Sequence, residues 1–314
     1  MKPIIKIGTR GSHLALYQTE LVKTRLEEDF PLVEIEIVKI KTGGDMIRRA
    51  GHHPFETKRI YTHEIEDALL AGDIDLAVHS AKDMAAVLPE GLEIGGVLAR
   101  EDSRDCLLSN DKKPFSALPL GARIGTSSLR RKMQLLRWNP ELIVEDVHGN
   151  VDTRIHKMQE GEFDALVLAH AGIIRLGFTN YVTEIFSEEQ FYPAPGQGII
   201  AIESRTGDPD TKELLAPISH AVTMRRLECE RAFLKRLEGG CQLPCGIRTH
   251  VEDGRLKTSG AIFAVEGHEM AESRHEGEID HAAILGNELA QKVLDNGGRE
   301  ILTKIRHAEQ KKKE

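Results

Sequence analysis

Three short segments gather side chains suited to binding anions, and a fourth carries a thiol placed for covalent chemistry. Residues Gly125–Arg131 (GTSSLRR) end a strand in Gly, follow it with hydroxyls and open a helix. The first N–H groups of a helix lack intrahelical partners, and together with the helix dipole they favour an anion. Arg130 and Arg131 add guanidinium forks matched to carboxylate or phosphate. From Gly121 to Arg137 there are five basic residues (Arg123, Arg130, Arg131, Lys132, Arg137) and no acid, in a chain of net charge −8. A serine cap with arginines in solvent is the plainer alternative. Hydroxyls plus paired arginines exceed what capping needs, so the segment is read as an anion site. Thr9–Ser12 (TRGS) repeats the theme at an earlier strand-to-helix junction. Together they suggest an anionic ligand held between two helix starts.

The stretch Ala77–Asp83 (AVHSAKD) delivers His79, Ser80, Lys82 and Asp83 at the carboxyl end of a buried strand, where open α/β sheets place their ligands. A surface Lys82–Asp83 ion pair is the commoner outcome for such neighbours. The functional alternative is a carboxylate that faces a cation or acts as a general acid. Glu238–Cys245 (EGGCQLPC) sets two glycines before a cysteine, giving a loop that approaches a ligand closely. With Lys235, Arg236 and Arg248 near in sequence, Cys241 is a candidate nucleophilic or modified thiol. Cys106 and Cys229 are read as small buried hydrophobes. No second Cys/His pair matches the Cys241–Cys245 spacing, and His52-His53 has no acidic or Cys partner, so no metal site is expected. There is no phosphate-binding Walker loop, no dinucleotide fingerprint after a strand and no Ser-His-Asp order.

The elements that must position these residues belong to an ordinary globular chain. Its 314 residues are 40% hydrophobic and 29% charged, which excludes collagen-like, disordered and disulfide-scaffold classes. At ~150 residues per domain the length suggests two domains, with room for a third. Net acidity argues against non-specific nucleic-acid binding. No apolar run reaches the ~18 residues of a membrane span, and the first residues lack an export signal, so a cytosolic, reduced protein is expected.

Short β-rich runs alternate with helical stretches, which argues for α/β architecture. Two echoes suggest an internal repeat. Ile7-Gly8-Thr9 before a helix is matched by Ile124-Gly125-Thr126 before Leu129–Trp138, and Gly72–His79 is matched by Gly161–Leu168. Residues 45–60 have no clean period and read as a mobile loop. From Ile218 the pattern changes to helix (Ala221–Leu237), three antiparallel-type strands (Gly246–Glu252, Arg255–Val265, Glu269–Gly277) and helix (His281–Leu294), followed by a solvated Lys311–Glu314 tail. The expected organisation is a first α/β lobe (1–99 plus 193–217), a second α/β lobe (100–192) facing it across a cleft, and a smaller α+β domain (218–314).

These residues resemble the porphobilinogen deaminase (hydroxymethylbilane synthase) family. The resemblance rests on IGTRGSHLAL (7–16), DIDLAVHSAKDM (73–84), REDSRD (100–105), GTSSLRRKMQL (125–135), HGNVDTR (148–154), AGIIRLG (171–177), PGQG (195–198) and EGGCQLPCG (238–246), in family order over nearly the whole chain. It implies two periplasmic-binding-protein-like lobes and a third domain carrying the cofactor. It also implies a transferase that condenses four porphobilinogen units head to tail into linear hydroxymethylbilane, releasing ammonia each time. The primer would be dipyrromethane, held by a thioether to Cys241. Asp83 would be the catalytic carboxylate facing a cationic azafulvene. Lys82, Asp83, Thr126, Ser127, Ser128, Arg130, Arg131 and His148 would hold the cofactor, and Arg10, Ser12, Arg154 and Arg175 the substrate. Such an enzyme is a cytoplasmic monomer without metal, nucleic-acid or membrane partners, and it passes its product to uroporphyrinogen-III synthase.

The chain departs from the family pattern in places. His148 stands where Arg is usual, which implies a hydrogen-bonding role; a free histidine, with pKa near ~6.5, is only partly charged at neutral pH. Glu56–Arg59 replaces a Gly-Lys-Gly loop, with Lys58 as the candidate lid residue. Cys245 replaces an aliphatic residue, either as a packing thiol or as a competing attachment site. Two other readings compete. A two-lobed binding protein for a dicarboxylate explains the paired anion sites but not the third domain. A thiol hydrolase using Cys241 lacks a His/Asn partner arrangement.

Overall fold

The computed structural model describes residues 2–43, 61–237, 243–265 and 269–313. They fall into two compact units, Met1–Asp102 with Gly196–Met224, and Ser103–Pro195 with Arg225–Glu314. Strands run in chain order as β1 (Ile4–Thr9), β2 (Glu34–Lys39), β3 (Leu76–Ser80), β4 (Leu92–Val97), β5 (Asp105–Ser109), β6 (Arg123–Gly125), β7 (Ile143–Glu145), β8 (Ala165–Ala169) and β9 (Val182–Ile185). β10 (Ile200–Arg205) belongs to the first unit, and β11 (Cys245–Glu252), β12 (Arg255–Phe263) and β13 (Met270–Glu278) to the second.

The first unit holds one five-stranded sheet of order β2-β1-β3-β10-β4, and the second holds another of order β7-β6-β8-β5-β9. The two orders correspond strand for strand. β1 runs parallel to β2 and β3, as β6 does to β7 and β8. β10 is antiparallel to both its neighbours, and so is β5. The sequence echo therefore marks a repeated topology. β1 and β6 are equivalent, and each leads into a helix: α1 (His13–Asp29) after β1, and, beyond α2 (His63–Ala71), α3 (Leu129–Trp138) after β6.

Both faces of each sheet are covered, which is why the central strands read as unbroken apolar runs. In β8, Ala165 and Val167 pack with Leu107, Ile124 and Leu135, while Leu166 and Leu168 pack with Ile155, Met158 and Ile173. In the first sheet Ile5, Ile7, Leu76 and Val78 meet Val22 and Leu26 of α1, and Ala77 faces Ile65 and Leu69 of α2. Side-chain oxygens start the two site helices. Ser12 Oγ accepts from Ala15 N (3.3 Å) and Ser128 Oγ from Arg131 N (3.4 Å).

The three-stranded antiparallel sheet has order β11-β12-β13. One structural expectation fails at its end. The chain does not close on the helix expected over His281–Leu294: beyond Ala282–Val293 it turns at Asn296–Gly297 and forms a further helix, Arg299–Lys313, with Ile301, Leu302 and Ile305 buried, while the exposure of the Lys311–Glu314 side chains lies outside what is described. The left-handed Gly297 (φ 96°) reads locally as a stop, and the apolar spacing beyond it resumes a helical face. The 45–60 loop, with His52, His53 and Lys58, lies outside the described residues.

Gly198 fixes the crossing between β10 and the segment after β4. Its φ is +85°, and a Cβ there would lie 2.4 Å from the Glu101 carbonyl oxygen. Gly207 has a similar φ (+77°) but open space around it. Left-handed strain alone costs about 1–2 kcal/mol for a non-glycine residue. In thermal unfolding, Gly198→Ala should therefore melt clearly below Gly207→Ala; equal melting points would show that the backbone yields without cost.

Candidate functional site

In the first unit the sheet delivers its polar residues as β3 ends. His79 Nε2 lies 3.1 Å from Glu203 Oε2 on β10, with both side chains buried. Ser80 is bonded to buried Gln18 of α1, with Gln18 Nε2 donating to Ser80 Oγ at 2.9 Å. These two of the four polar residues expected at the strand end are thus engaged in holding the sheet to its neighbours.

The next residues form a single tight turn, Ala81–Asp83. Ala81 N donates to Ile199 O (3.0 Å), and Ala81 and Met84 on either side are buried. Gly196 presses on the turn from behind: a Cβ there would sit 3.0 Å from Ala81 C and Lys82 N. The PGQG motif is thus the backing of the turn, which leaves Lys82 and Asp83 half-buried. The Asp83 carboxylate takes no hydrogen bond or ion pair from the described residues, so the surface Lys82–Asp83 pair is not formed. Ser12 caps α1 and is half-buried; the Arg10 guanidinium lies 4.5 Å from the Tyr61 ring centroid.

In the second unit, Thr126–Ser128 link β6 to α3. Thr126 is buried and accepts from Ser128 N (3.4 Å), and Ser127 Oγ donates to Val147 O. Ser128 caps the helix, as the plainer reading held, but the arginines do not face solvent. Arg130 Nη1 donates to Asp105 Oδ2 at 2.7 Å, and Arg131 Nε to Asp105 Oδ1 at 2.8 Å. Asp105 is fully buried and both guanidiniums nearly so. Burial pulls Arg130 below the ordinary arginine range, while Asp105 opposes the shift and Arg131 adds to it. The trio sums to one net positive charge, two guanidiniums against one carboxylate.

That charge lies behind the open N–H groups of a helix start and beside hydroxyls whose protons are not all spent. Ser128 and Thr126 act here as acceptors, so each retains an O–H to give. The donor set fits carboxylate-bearing pyrroles. Nearby, Arg154 Nε donates to Gly149 O (2.9 Å), bracing the segment that presents exposed His148. Arg175 ends the helix His170–Arg175 and is half-buried.

Cys241 lies outside the described residues. Cys106, Cys229 and Cys245 are buried, and burial raises the Cys229 thiol well above its ordinary value. Neither Asp105, within REDSRD, nor Glu203 has a local sequence signal for its buried partner. A buried acid is visible only once its cationic partner's position is known. The weak signal was that Arg130 and Arg131 lie on a short helix whose other face is apolar.

Sheets of repeated topology, one presenting an unpaired carboxylate at a strand end and the other a cationic helix start, define an α/β protein that handles a charged organic ligand. Residues 5–213 match the family model described as porphobilinogen deaminase, dipyrromethane cofactor-binding domain, and residues 224–295 match the porphobilinogen deaminase C-terminal domain. The chain is 43% identical to porphobilinogen deaminase of Syntrophobacter fumaroxidans, over 97% of this chain and 99% of that one. It is 45% identical to the Thermus thermophilus protein of that name, over 96% and 99%. Among solved structures, the periplasmic aliphatic sulphonate-binding protein of Escherichia coli overlaps at TM-score 0.41 and 14% identity, over 76% of this chain and 71% of that one. The chain belongs to the porphobilinogen deaminase family.

Asp105→Asn keeps the shape of the side chain but removes the counter-charge of two buried guanidiniums. Breaking a buried pair in this way costs about 3–5 kcal/mol. Urea unfolding should show such a loss; one of about 1 kcal/mol or less, as for an exposed pair, would mean that the arginines re-pair elsewhere.

Proposed function

We propose that this chain joins four porphobilinogen units head to tail into the linear tetrapyrrole hydroxymethylbilane, releasing one ammonia at each addition. The observation that carries the reading is the family match, which spans nearly the whole chain in both matched domains. Bound through Cys241, dipyrromethane would supply the primer, whose terminal α-carbon is nucleophilic.

The chain's own groups have two tasks. The first is to hold carboxylates, because each pyrrole unit brings an acetate and a propionate. Ser127, Ser128, the α3 N–H groups and the net charge behind them at Arg130 and Arg131 serve this end, with Thr126 as a buried hydroxyl in the same turn. Arg10, Ser12, Lys82, His148, Arg154 and Arg175 extend it. The second task is to tolerate positive charge. Substrate that has lost ammonia is cationic, and Asp83 is the carboxylate assigned to its pyrrole nitrogen. At ~4 Å and an effective dielectric near 20, the raw Coulomb energy is roughly 4 kcal/mol. The turn anchored by Ala81, Met84 and Gly196 holds Asp83 before the charge develops, so little reorganisation is needed.

In this reading Cys241 forms the thioether to dipyrromethane, and buried Cys245 is a packing residue. Residues 1–99 with 193–217 supply the catalytic carboxylate, 100–192 the anion face and 218–314 the tether. The enzyme acts as a cytoplasmic monomer whose product passes to uroporphyrinogen-III synthase. Among the described residues no helix is long and apolar enough to cross a membrane.

Two variants test the assignments. Asp83→Asn should lower kcat by about 10²–10⁴ with the protein still folded; near-normal turnover would refute the role. Intact mass of untreated protein should exceed that of the chain by two linked pyrroles, with a colour reaction to Ehrlich's reagent. Cys241→Ser should lose both, and retention of the added mass would place the attachment on Cys245 instead.

A further inference from the structure

Within the second unit, the tripeptide Phe191–Pro193 is bonded on two sides. On one side its main chain meets α3: Gln134 Oε1 accepts from Tyr192 N (2.7 Å), while Arg130 Nη1 and Gln134 Nε2 donate to Tyr192 O, the latter at 3.1 Å. On the other it meets the three-stranded sheet. Tyr192 Oη lies 2.7 Å from Ser259 Oγ of β12 and donates to Glu272 Oε2 of β13 at 3.0 Å. A carboxylate accepts only, so the phenol's one proton goes to Glu272 and Ser259 must donate to the phenol. Pro193 O takes Ile247 N of β11 at 3.0 Å.

Apolar packing follows the same line. Met133 of α3, Tyr192, Ala261 and Phe263 form one buried cluster, with Leu129, Leu136 and Met270 against it. Alternation along β12 puts Ser259, Ala261 and Phe263 on one face, toward α3, and Gly260 on the other, against Phe233 and Leu289. The start of α3 and the sheet that follows Cys241 in sequence are thus tied by the apolar cluster and, through polar contacts, by Tyr192. Cys241 precedes β11 by four residues, and four residues reach at most ~14 Å.

We propose that Tyr192 is a positioning residue for the condensation: its phenol, held between Ser259 and Glu272, fixes the sheet that bears the Cys241 tether against the Thr126–Arg131 helix start. This rests on the function proposed above. A primer carried on a loop is only as well placed as the strand anchoring that loop. The carboxylate-binding groups on α3 must also keep their register with it as the chain lengthens.

The test uses full-length, cofactor-loaded enzyme and Tyr192→Phe, which deletes the hydroxyl and keeps the ring. Cofactor mass should be retained. kcat should fall about five- to twenty-fold with KM changed less than three-fold. After one equivalent of porphobilinogen, intact mass should show enzyme carrying partly built chains in excess over wild type. Ser259→Ala, which removes only the donor to the phenol, should shift the same mass ladder in the same direction by less, and it serves should Tyr192→Phe not fold. Glu272→Gln keeps an acceptor for the phenol and should give the wild-type ladder. A lower melting temperature with wild-type kcat, KM and ladder in both Tyr192→Phe and Ser259→Ala would overturn the proposal and leave Tyr192 a packing residue. Wild-type enzyme with no added mass and no turnover would overturn the function proposed above instead, and this inference with it.

Discussion

One buried carboxylate between two buried guanidiniums fixes the start of α3, the segment to which the proposed function assigns anion binding. Asp105 starts β5, which lies between β8 and β9, so its position is set by pairing on both edges. Arg130 and Arg131 come from the first turn of α3, where side chains would otherwise point into solvent. Drawing both inward desolvates two cations, a cost that Asp105 offsets by bonding to each. Within this trio the charges sum to one positive at the first turn of α3, where the helix dipole adds to it. A site built on surface lysines would lose most of its strength to salt. Charges held in the interior are screened far less.

The two five-stranded sheets show how a shared plan is turned to different chemistry. β1 and β6 occupy equivalent places, and each hands its chain to a serine-capped helix. After the equivalent strands β3 and β8 the sequences diverge. β3 ends in the turn Ala81–Asp83, backed by Gly196, and leaves a carboxylate unpaired. β8 passes straight into the helix His170–Arg175, which ends in a cation. The shared scaffold thus continues differently after corresponding strands, into a tight turn with Lys82 and Asp83 in one sheet and into a short helix in the other.

Much of this was legible in the residues themselves. The helix over Leu129–Trp138 has its observed bounds, because Ser128 caps it and Asn139 follows the last apolar residue. The three strands of the last sheet fall within one or two residues of their expected ends, since alternation and the Asp253-Gly254 turn mark them. Local signals failed where partners are distant. Asp105 and Arg130 are 25 residues apart, and His79 and Glu203 are 124 apart. No spacing rule connects such pairs, and the strand order that brings them together is a property of the whole sheet. The last helix was missed for the opposite reason: Gly297 is a strong local stop, and burial of Ile301, Leu302 and Ile305 overrides it.

The overall acidity of the chain does not oppose binding of a polycarboxylate, and the magnitudes show why. The net charge of −8 is spread over a molecule with 15003 Å² of accessible surface. At physiological ionic strength exposed charges are screened beyond about 8 Å. A carboxylate at the α3 start therefore responds mainly to the nearby N–H groups, hydroxyls and arginine pair, and hardly to acids on remote faces. For the function proposed above, binding of a polycarboxylate therefore depends on the donors within reach of each carboxylate and not on the charge of the protein as a whole.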